Sequence, residues 1–240
     1  MLPNLNNIMK KKPALYDPQY FHERDHLDLH IAESVKLLMR KHRLKSVLDV
    51  GCGTGRLVRF LNLSGFRAQG CDNQTAALKL ARKINPPKNI VRASASRLPF
   101  IKSTFDLITS ISVIEHLTPY QSQQFISASW RILKPRGYIF LITPNFVSPL
   151  RLILGKRWFG YSDPSHIQFF TPSSLANLLK LNGFGSVTCR LPTAYNVPFD
   201  WYLPVFFRKL PMPLKNLLNY LMISSPLSTW RDSFWILGQK

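Results

Sequence analysis

Val47-Leu48-Asp49-Val50-Gly51-Cys52-Gly53-Thr54-Gly55-Arg56 is the stretch that decides the fold of this 240-residue chain. Its apolar start predicts a short strand. Leu57, Val58, Phe60 and Leu61 then recur at helical spacing, which predicts a helix opening at about Thr54 or Gly55. Glycine has no Cβ, so three glycines at alternate positions let the backbone between strand and helix take positive φ and bring its N–H groups close to a ligand. The spacing is G-x-G-x-G, whereas a pyrophosphate-binding turn reads G-x-G-x-x-G, and Asp49 stands just ahead of the glycines. A carboxylate there repels an anion lying across the turn and suits a cation or a hydroxyl, which argues against a dinucleotide.

Outward from the turn, the chain alternates strand and helix. Upstream, Leu27, Ile31, Val35, Leu38 and Met39 predict a first helix. Downstream, Phe66–Asp72 predicts a second strand that ends in an acid, roughly twenty positions after the glycines. A carboxylate at that strand end can accept from both hydroxyls of a ribose, and it can equally cap a helix starting at Gln74. Residues 89–95 and Phe105–Ser110 read as the third and fourth strands. A helix over 119–133 follows, with Phe125, Ile126, Trp130 and Leu133 facing the core, then the turn Lys134-Pro135-Arg136-Gly137 and a strand over Tyr138–Thr143. Residues 146–165 are basic and aromatic and too irregular for a core element. A further helix opens at Ser173 and stops at Asn182-Gly183-Phe184, and residues 234–240 predict a final strand.

The opening stretch resembles motif I (V-L-D-x-G-C-G-x-G) of the class I S-adenosylmethionine-dependent methyltransferases. The resemblance implies a single α/β domain over residues 1–240: a Rossmann-like, seven-stranded, mostly parallel sheet with an antiparallel C-terminal edge hairpin and helices on both faces. It implies S-adenosyl-L-methionine as cofactor, held by Asp49, Gly51, Cys52, Gly53, Gly55, Asp72, Asn73, Ser94, Ala95 and Ser112. Ser94 stands where the family's D-A-x-x-L-P-F segment has aspartate, so an uncharged hydroxyl would receive the adenine amino group and hold it less strongly. Arg136 stands where the family's L-K-P-G-G turn has glycine, so that position must accept a side chain. Glu115-His116-Leu117 resembles the family's motif IV ending and His166-Ile167-Gln168-Phe169-Phe170-Thr171-Pro172 a segment of small-molecule and lipid methyltransferases. His116 and His166 are therefore candidate general bases or hydrogen-bond anchors for their loops. The implied reaction is O-methylation of a small molecule, a lipid or quinone precursor, or a glycan. An RNA methyltransferase and a non-catalytic cofactor-binding scaffold remain as alternatives.

Composition bears on partners. The chain carries 32 Lys plus Arg against 12 Asp plus Glu, a formal charge of +20. That excess favours an anionic partner, either an acidic membrane surface or, with less support because the bases are scattered, RNA. The tail over 191–230 mixes Trp201, Phe206 and Phe207 with Arg208, Lys209 and Lys215. It suits an interfacial hairpin or a lid on the substrate pocket. Residues 1–26 read as an arm whose Tyr16, Tyr20 and Phe21 either close over the cofactor or pin the arm to the core. Cys52, Cys71 and Cys189 have neither disulfide nor metal-site spacing, so no metal is expected. Without a secretory signal or an apolar run long enough to span a bilayer, the expected location is cytoplasmic, at most peripheral to the inner face of a membrane.

Overall fold

The computed structural model describes Phe21, residues 25–189 and 231–240, and positions 210–215, 217 and 221. In chain order these form α1 (Leu29–Lys41), β1 (Ser46–Val50), α2 (Arg56–Leu63), β2 (Arg67–Asp72), α3 (Thr75–Ile84), β3 (Ile90–Arg92), β4 (Phe105–Ile111), α4 (Pro119–Ile132), β5 (Leu133–Pro144), α5 (Pro149–Leu154), α6 (Phe159–Ser162), α7 (Pro172–Leu181), β6 (Ser186–Thr188) and β7 (Ser233–Gln239). The sheet runs β3-β2-β1-β4-β5-β7-β6. Pairing is parallel from β3 through β5 and antiparallel at β7, against both β5 and β6. The expected Rossmann-like sheet with its antiparallel edge hairpin is therefore present. Strand order reverses between β1 and β4, and that reversal opens a crevice beyond their carboxyl ends.

Burial on both faces explains the apolar runs. All five residues of β1 are buried, as a parallel strand covered by helices on either side requires. Successive side chains point to opposite faces. Val47 joins Leu107, Phe140 and Trp235 beneath α1, α2 and α3, whereas Leu48 joins Ile108, Ile139 and Ile236 beneath α4 and α7. Asp49 shares Val47's face, so its carboxylate lies on the side of α1 and α2. Helix starts follow from capping chemistry. Asp28 Oδ1 accepts from the N–H groups of His30 and Ile31 at 2.9 and 3.1 Å. Thr118 with Gln121, and Thr171 with Ser174, form reciprocal capping boxes ahead of Pro119 and Pro172.

Several expectations need correction. Trp130 is 39% exposed; its indole N–H reaches Gly183 O at 3.2 Å, so it clips α4 to the loop after α7 and does not enter the core. The third strand ends at Arg92, because Ser94 and Arg97 close a tight turn through a 3.0 Å bond from Arg97 N–H to Ser94 O. β5 begins at Leu133 and passes through Arg136, whose φ of +62° shows why glycine suits that position. Residues 146–165 are more regular than their composition predicts, with α5, a 3-10 turn over Gly155–Arg157, and α6. At their centre Trp158 is fully buried and donates its indole N–H to Asp232 Oδ1 at 3.0 Å.

Tyr16, Tyr20 and most of the 191–230 tail lie outside the described residues. Within that tail, Met212, Leu214, Leu217 and Leu221 are described and exposed. Among the described residues no helix is long and apolar enough to cross a membrane.

Candidate functional site

The crevice at the strand reversal holds two cavities with a common wall. One, of about 420 Å³, reaches Asp72, Asn73, Ser94 and Ala95. The other, of about 530 Å³, reaches Asp49, Glu115, Phe159, Asp163 and His166. Gly51, Ile111, Ser112 and His116 line both, so a ligand lying across Gly51 could touch each. Phe21 closes one side of the first cavity. Asp25 holds the adjoining segment to the start of α2 through a two-pronged ion pair, with Arg56 Nε and Nη2 each 2.7 Å from a carboxylate oxygen.

The glycine turn is fixed from below. Gly51 and Cys52 donate their N–H groups to Cys71 O at 2.8 and 3.0 Å, tying the turn to β2. A Cβ on Gly51 would lie 2.2 Å from Val113 Cγ2, and one on Gly55 2.7 Å from Asn85 Nδ2. Both of those glycines serve packing. Gly53, at φ +51°, would present its Cβ to open space with no atom within 4 Å, so it is the glycine whose bare backbone faces the cavity. Cys52 and Gly55 line neither cavity. The Cys52 side chain packs in the core beside Gly70 and Val58, and Gly55 begins α2 against α3.

Two buried acids flank the turn. Asp49 is buried at the end of β1, where Thr109 Oγ1 donates to Oδ1 at 2.8 Å. Burial pushes its pKa up to about 7, the Thr109 hydroxyl opposes that rise, and the charge of Asp72 adds to it. Asp72 Oδ2 accepts from Gly53 N–H at 3.0 Å and Oδ1 from Gln74 N–H at 2.8 Å, so it grips the turn and shapes the approach to the next helix, whose N-cap is Gln74 and carries no side-chain cap bond. Burial raises its pKa against those backbone donors. Ser94 lines the first cavity, its hydroxyl 3.0 Å from that of Ser96. Ser112 takes φ +53° at the end of β4, where its N–H donates to Ile142 O at 2.9 Å.

On the other wall, the H-x-x-F-F-T-P segment docks onto the E-H-L loop: Ile167 and Gln168 donate their N–H groups to Glu115 O at 3.0 and 3.1 Å. That docking brings the two histidine rings to a centroid distance of 4.7 Å. Glu115, His116 and His166 each place one ligating atom within 4.8 Å of the others. The sequence spacing predicts no such convergence, because the segments are far apart in the chain. Glu115 is 1% exposed; Thr143 Oγ1 donates to its Oε2 at 3.0 Å, while its buried Oε1 has no hydrogen-bond partner among the described residues. Burial raises its pKa to about 7 against its own N–H and the Thr143 hydroxyl. His166 Nδ1 lies 2.7 Å from Gly160 O, an acceptor only, so Nδ1 carries the proton and Nε2 the lone pair. Burial, and then the neighbouring His166, depress the His116 pKa. Together the three groups can take up a proton or hold a cation.

Sequence reasoning thus located the glycine turn, Asp49, Asp72, Ser94 and both histidines at one crevice. It passed over Glu115, Thr109, Asp163 and Ser165 as site residues. The E-H pair and the D-x-x-H spacing of Asp163 and His166 were the signals that could have drawn attention to two of them.

This arrangement, a glycine turn between two strand-end acids at the reversal of the sheet, is that of a Rossmann-like α/β protein with an open crevice at its switch point. A family model described as "Methyltransferase domain" matches residues 20–188, and the chain belongs to that family. It is 33% identical over 117 residues to an uncharacterized methyltransferase of Synechocystis, covering 46% of this chain and 55% of that one. It is 30% identical over 153 residues to the ubiquinone biosynthesis O-methyltransferase of Nitrosospira multiformis, covering 58% and 62%. The match thus spans under two thirds of the length of either relative. Among solved structures, a SAM-dependent methyltransferase from Archaeoglobus fulgidus superposes with a TM-score of 0.60 at 21% identity, over 87% of this chain and 94% of that one, a likeness of fold.

Proposed function

We propose that this protein is an S-adenosylmethionine-dependent methyltransferase that methylates an oxygen of a small, uncharged acceptor. The observation that carries the reading is the common wall of the two cavities: a cofactor across Gly51 would keep its nucleoside beside Asp72 and turn its sulfonium toward the histidines. In this reading Asp72 accepts from the ribose hydroxyls, Gly53 lets the chain pass close beneath, and ionised Asp49 faces the cationic methionine end. Ser94 and Ala95 border the adenine. The bound cofactor supplies an already activated methyl group, so the protein's work is alignment and exclusion of water.

His116 and His166 then supply what the acceptor needs. A bound cofactor would give its methyl carbon to an acceptor oxygen and keep the electron pair of the broken carbon–sulfur bond, so this chain's part is to hold the oxygen in line and receive its proton. The hydroxyl proton goes to an imidazole Nε2. The acceptor cavity is lined by four of the chain's 12 acids, Asp28, Asp49, Glu115 and Asp163, against one arginine, Arg56, which is paired with Asp25, and three histidines. Such a lining disfavours an anionic acceptor inside it, RNA phosphate included, whatever the surface charge attracts. The name of the Nitrosospira relative supports a hydroxyl acceptor of the quinone-precursor kind.

The test is incubation of the purified protein with methyl-labelled S-adenosylmethionine and, separately, catechol, a hydroxylated lipid extract and total RNA. Label on the hydroxylated aromatic or lipid is expected. Label on RNA alone would replace the acceptor assignment, and cofactor binding without label on any of the three would leave a binding protein.

A further inference from the structure

We propose that Asp163, acting through the Ser165 hydroxyl, is the positioning residue that holds His116 in the tautomer presenting Nε2 to the acceptor. The inference rests on the reading of His116 as a proton acceptor and deepens it. The direction of each hydrogen bond follows from the atoms involved. A carboxylate only accepts, and Asp163 Oδ1 takes both the Ser165 N–H at 2.9 Å and the Ser165 hydroxyl at 2.5 Å. The hydroxyl has one proton, and that bond uses it. Toward His116 Nδ1, 2.8 Å away, Ser165 Oγ can then only accept. The Ser165 carbonyl, 3.3 Å from the same nitrogen, is likewise an acceptor. Nδ1 therefore carries the proton, and Nε2 carries the lone pair that a base requires.

The parts of this relay are held by one turn. His166 N–H donates to Asp163 O at 3.1 Å, and the neighbouring Ile167 and Gln168 N–H groups anchor the turn to Glu115 O. Asp163 Oδ2 stands 4.0 Å from His166 Nε2, beyond hydrogen-bond distance and an attractive neighbour only when that ring takes up a second proton. The charged and titratable groups around His116 are Glu115 on its own loop, His166 and Asp163 on the docked turn, and Asp49, Asp28, His26 and Arg56 on the other walls of the cavity. Without the serine hydroxyl, the Ser165 carbonyl at 3.3 Å remains as the more distant acceptor for the Nδ1 proton. With the serine freed from Asp163, the hydroxyl can turn and donate to Nδ1, moving the ring proton to Nε2, where it blocks base catalysis.

Nitrogen-15 NMR of the imidazoles in chelator-treated protein reads this directly and needs no acceptor. His116→Ala assigns the signals. In the unaltered protein His116 is expected as the Nδ1–H form. Asp163→Ala is expected to shift it largely to Nε2–H, Ser165→Ala to a mixture, and Ser165→Thr, which keeps the hydroxyl, to restore Nδ1–H. With catechol as probe acceptor, kcat should fall about 10²-fold in Asp163→Ala at neutral pH with KM nearly unchanged, and Ser165→Thr should recover most of it. An Nε2–H ring in the unaltered protein, or an unmoved tautomer in folded Asp163→Ala, overturns the relay. The expected tautomers in a protein that methylates none of the three acceptor classes support the relay and refute the enzymatic reading instead.

Discussion

Gly53 N–H donates to Asp72 Oδ2 across 3.0 Å, so the bare turn after β1 and the acid at the end of β2 form one device. A cofactor that uses Asp72 also depends on the turn that Asp72 restrains. Asp72→Ala should therefore lower S-adenosylhomocysteine affinity about 10²-fold by calorimetry, through the loss of charged hydrogen bonds worth roughly 1.5–3 kcal/mol each. Asp72→Asn keeps an acceptor for Gly53 and should lose roughly tenfold less. Equal affinity in all three proteins would remove Asp72 from the site.

Gly51 and Gly53 should answer differently to the same methyl group. Gly53→Ala meets no atom within 4 Å and carries only the left-handed strain of about 1–2 kcal/mol, so the chain should fold with its cofactor site obstructed. Gly51→Ala drives its Cβ into Val113 and should lose about 1–3 kcal/mol more in urea denaturation. Indistinguishable stabilities would contradict this division of roles.

Asp49 makes cofactor affinity depend on pH. Its pKa of about 7 leaves it largely protonated at pH 6, and the cationic methionine end needs it ionised. Affinity for S-adenosylhomocysteine should rise between pH 5.5 and 7.5, by up to about tenfold per unit below the pKa. Asp49→Asn should bind weakly with a flat profile over the same range. Thr109→Val, which removes the hydroxyl that favours the ionised form, should move the rise to higher pH.

Most of the sheet could be read from sequence because its signals are local: alternation, apolar runs, caps and glycines lie within ten residues of the elements they define. Asp49 and Asp72 were legible for the same reason, each being the last polar residue of an apolar strand. Trp158 was not, because its burial depends on Asp232, some seventy residues away, whose carboxylate receives the indole N–H. Nor was the meeting of His116 with His166, which depends on two backbone N–H groups finding the Glu115 carbonyl. Contacts that join distant segments leave no period in the sequence.

Trp158 should accordingly behave as a core residue. Trp158→Ala is expected to cost about 3–5 kcal/mol in urea denaturation, from the emptied volume and the lost indole hydrogen bond to Asp232. Trp130→Ala, half-exposed at the edge, should cost about 1 kcal/mol. Equal effects would return residues 146–165 to the surface.

Glu115 sets a stability profile whose sign can be fixed in advance. Its pKa rises from 4.5 in the unfolded chain to about 7 in the fold. Between those values the native state holds a proton that the unfolded chain has released, so this group's contribution declines as pH rises from 4.5 to 7 and levels off above. The total is on the order of 3 kcal/mol. Gln cannot ionise, retains an acceptor for Thr143, and places an amide where Oε1 lies unpartnered. Stability measured in chelator-containing buffer should therefore show Glu115→Gln gaining on the unaltered protein as pH climbs from 5 to 8. Asp49 and His42 titrate in both proteins and cancel in the difference, and His116, whose ring lies within 4.8 Å of Glu115, is removed by making the comparison in a His116→Ala background. A difference independent of pH would mean that Glu115 stays ionised in the fold, with a partner near Oε1 to hold it so.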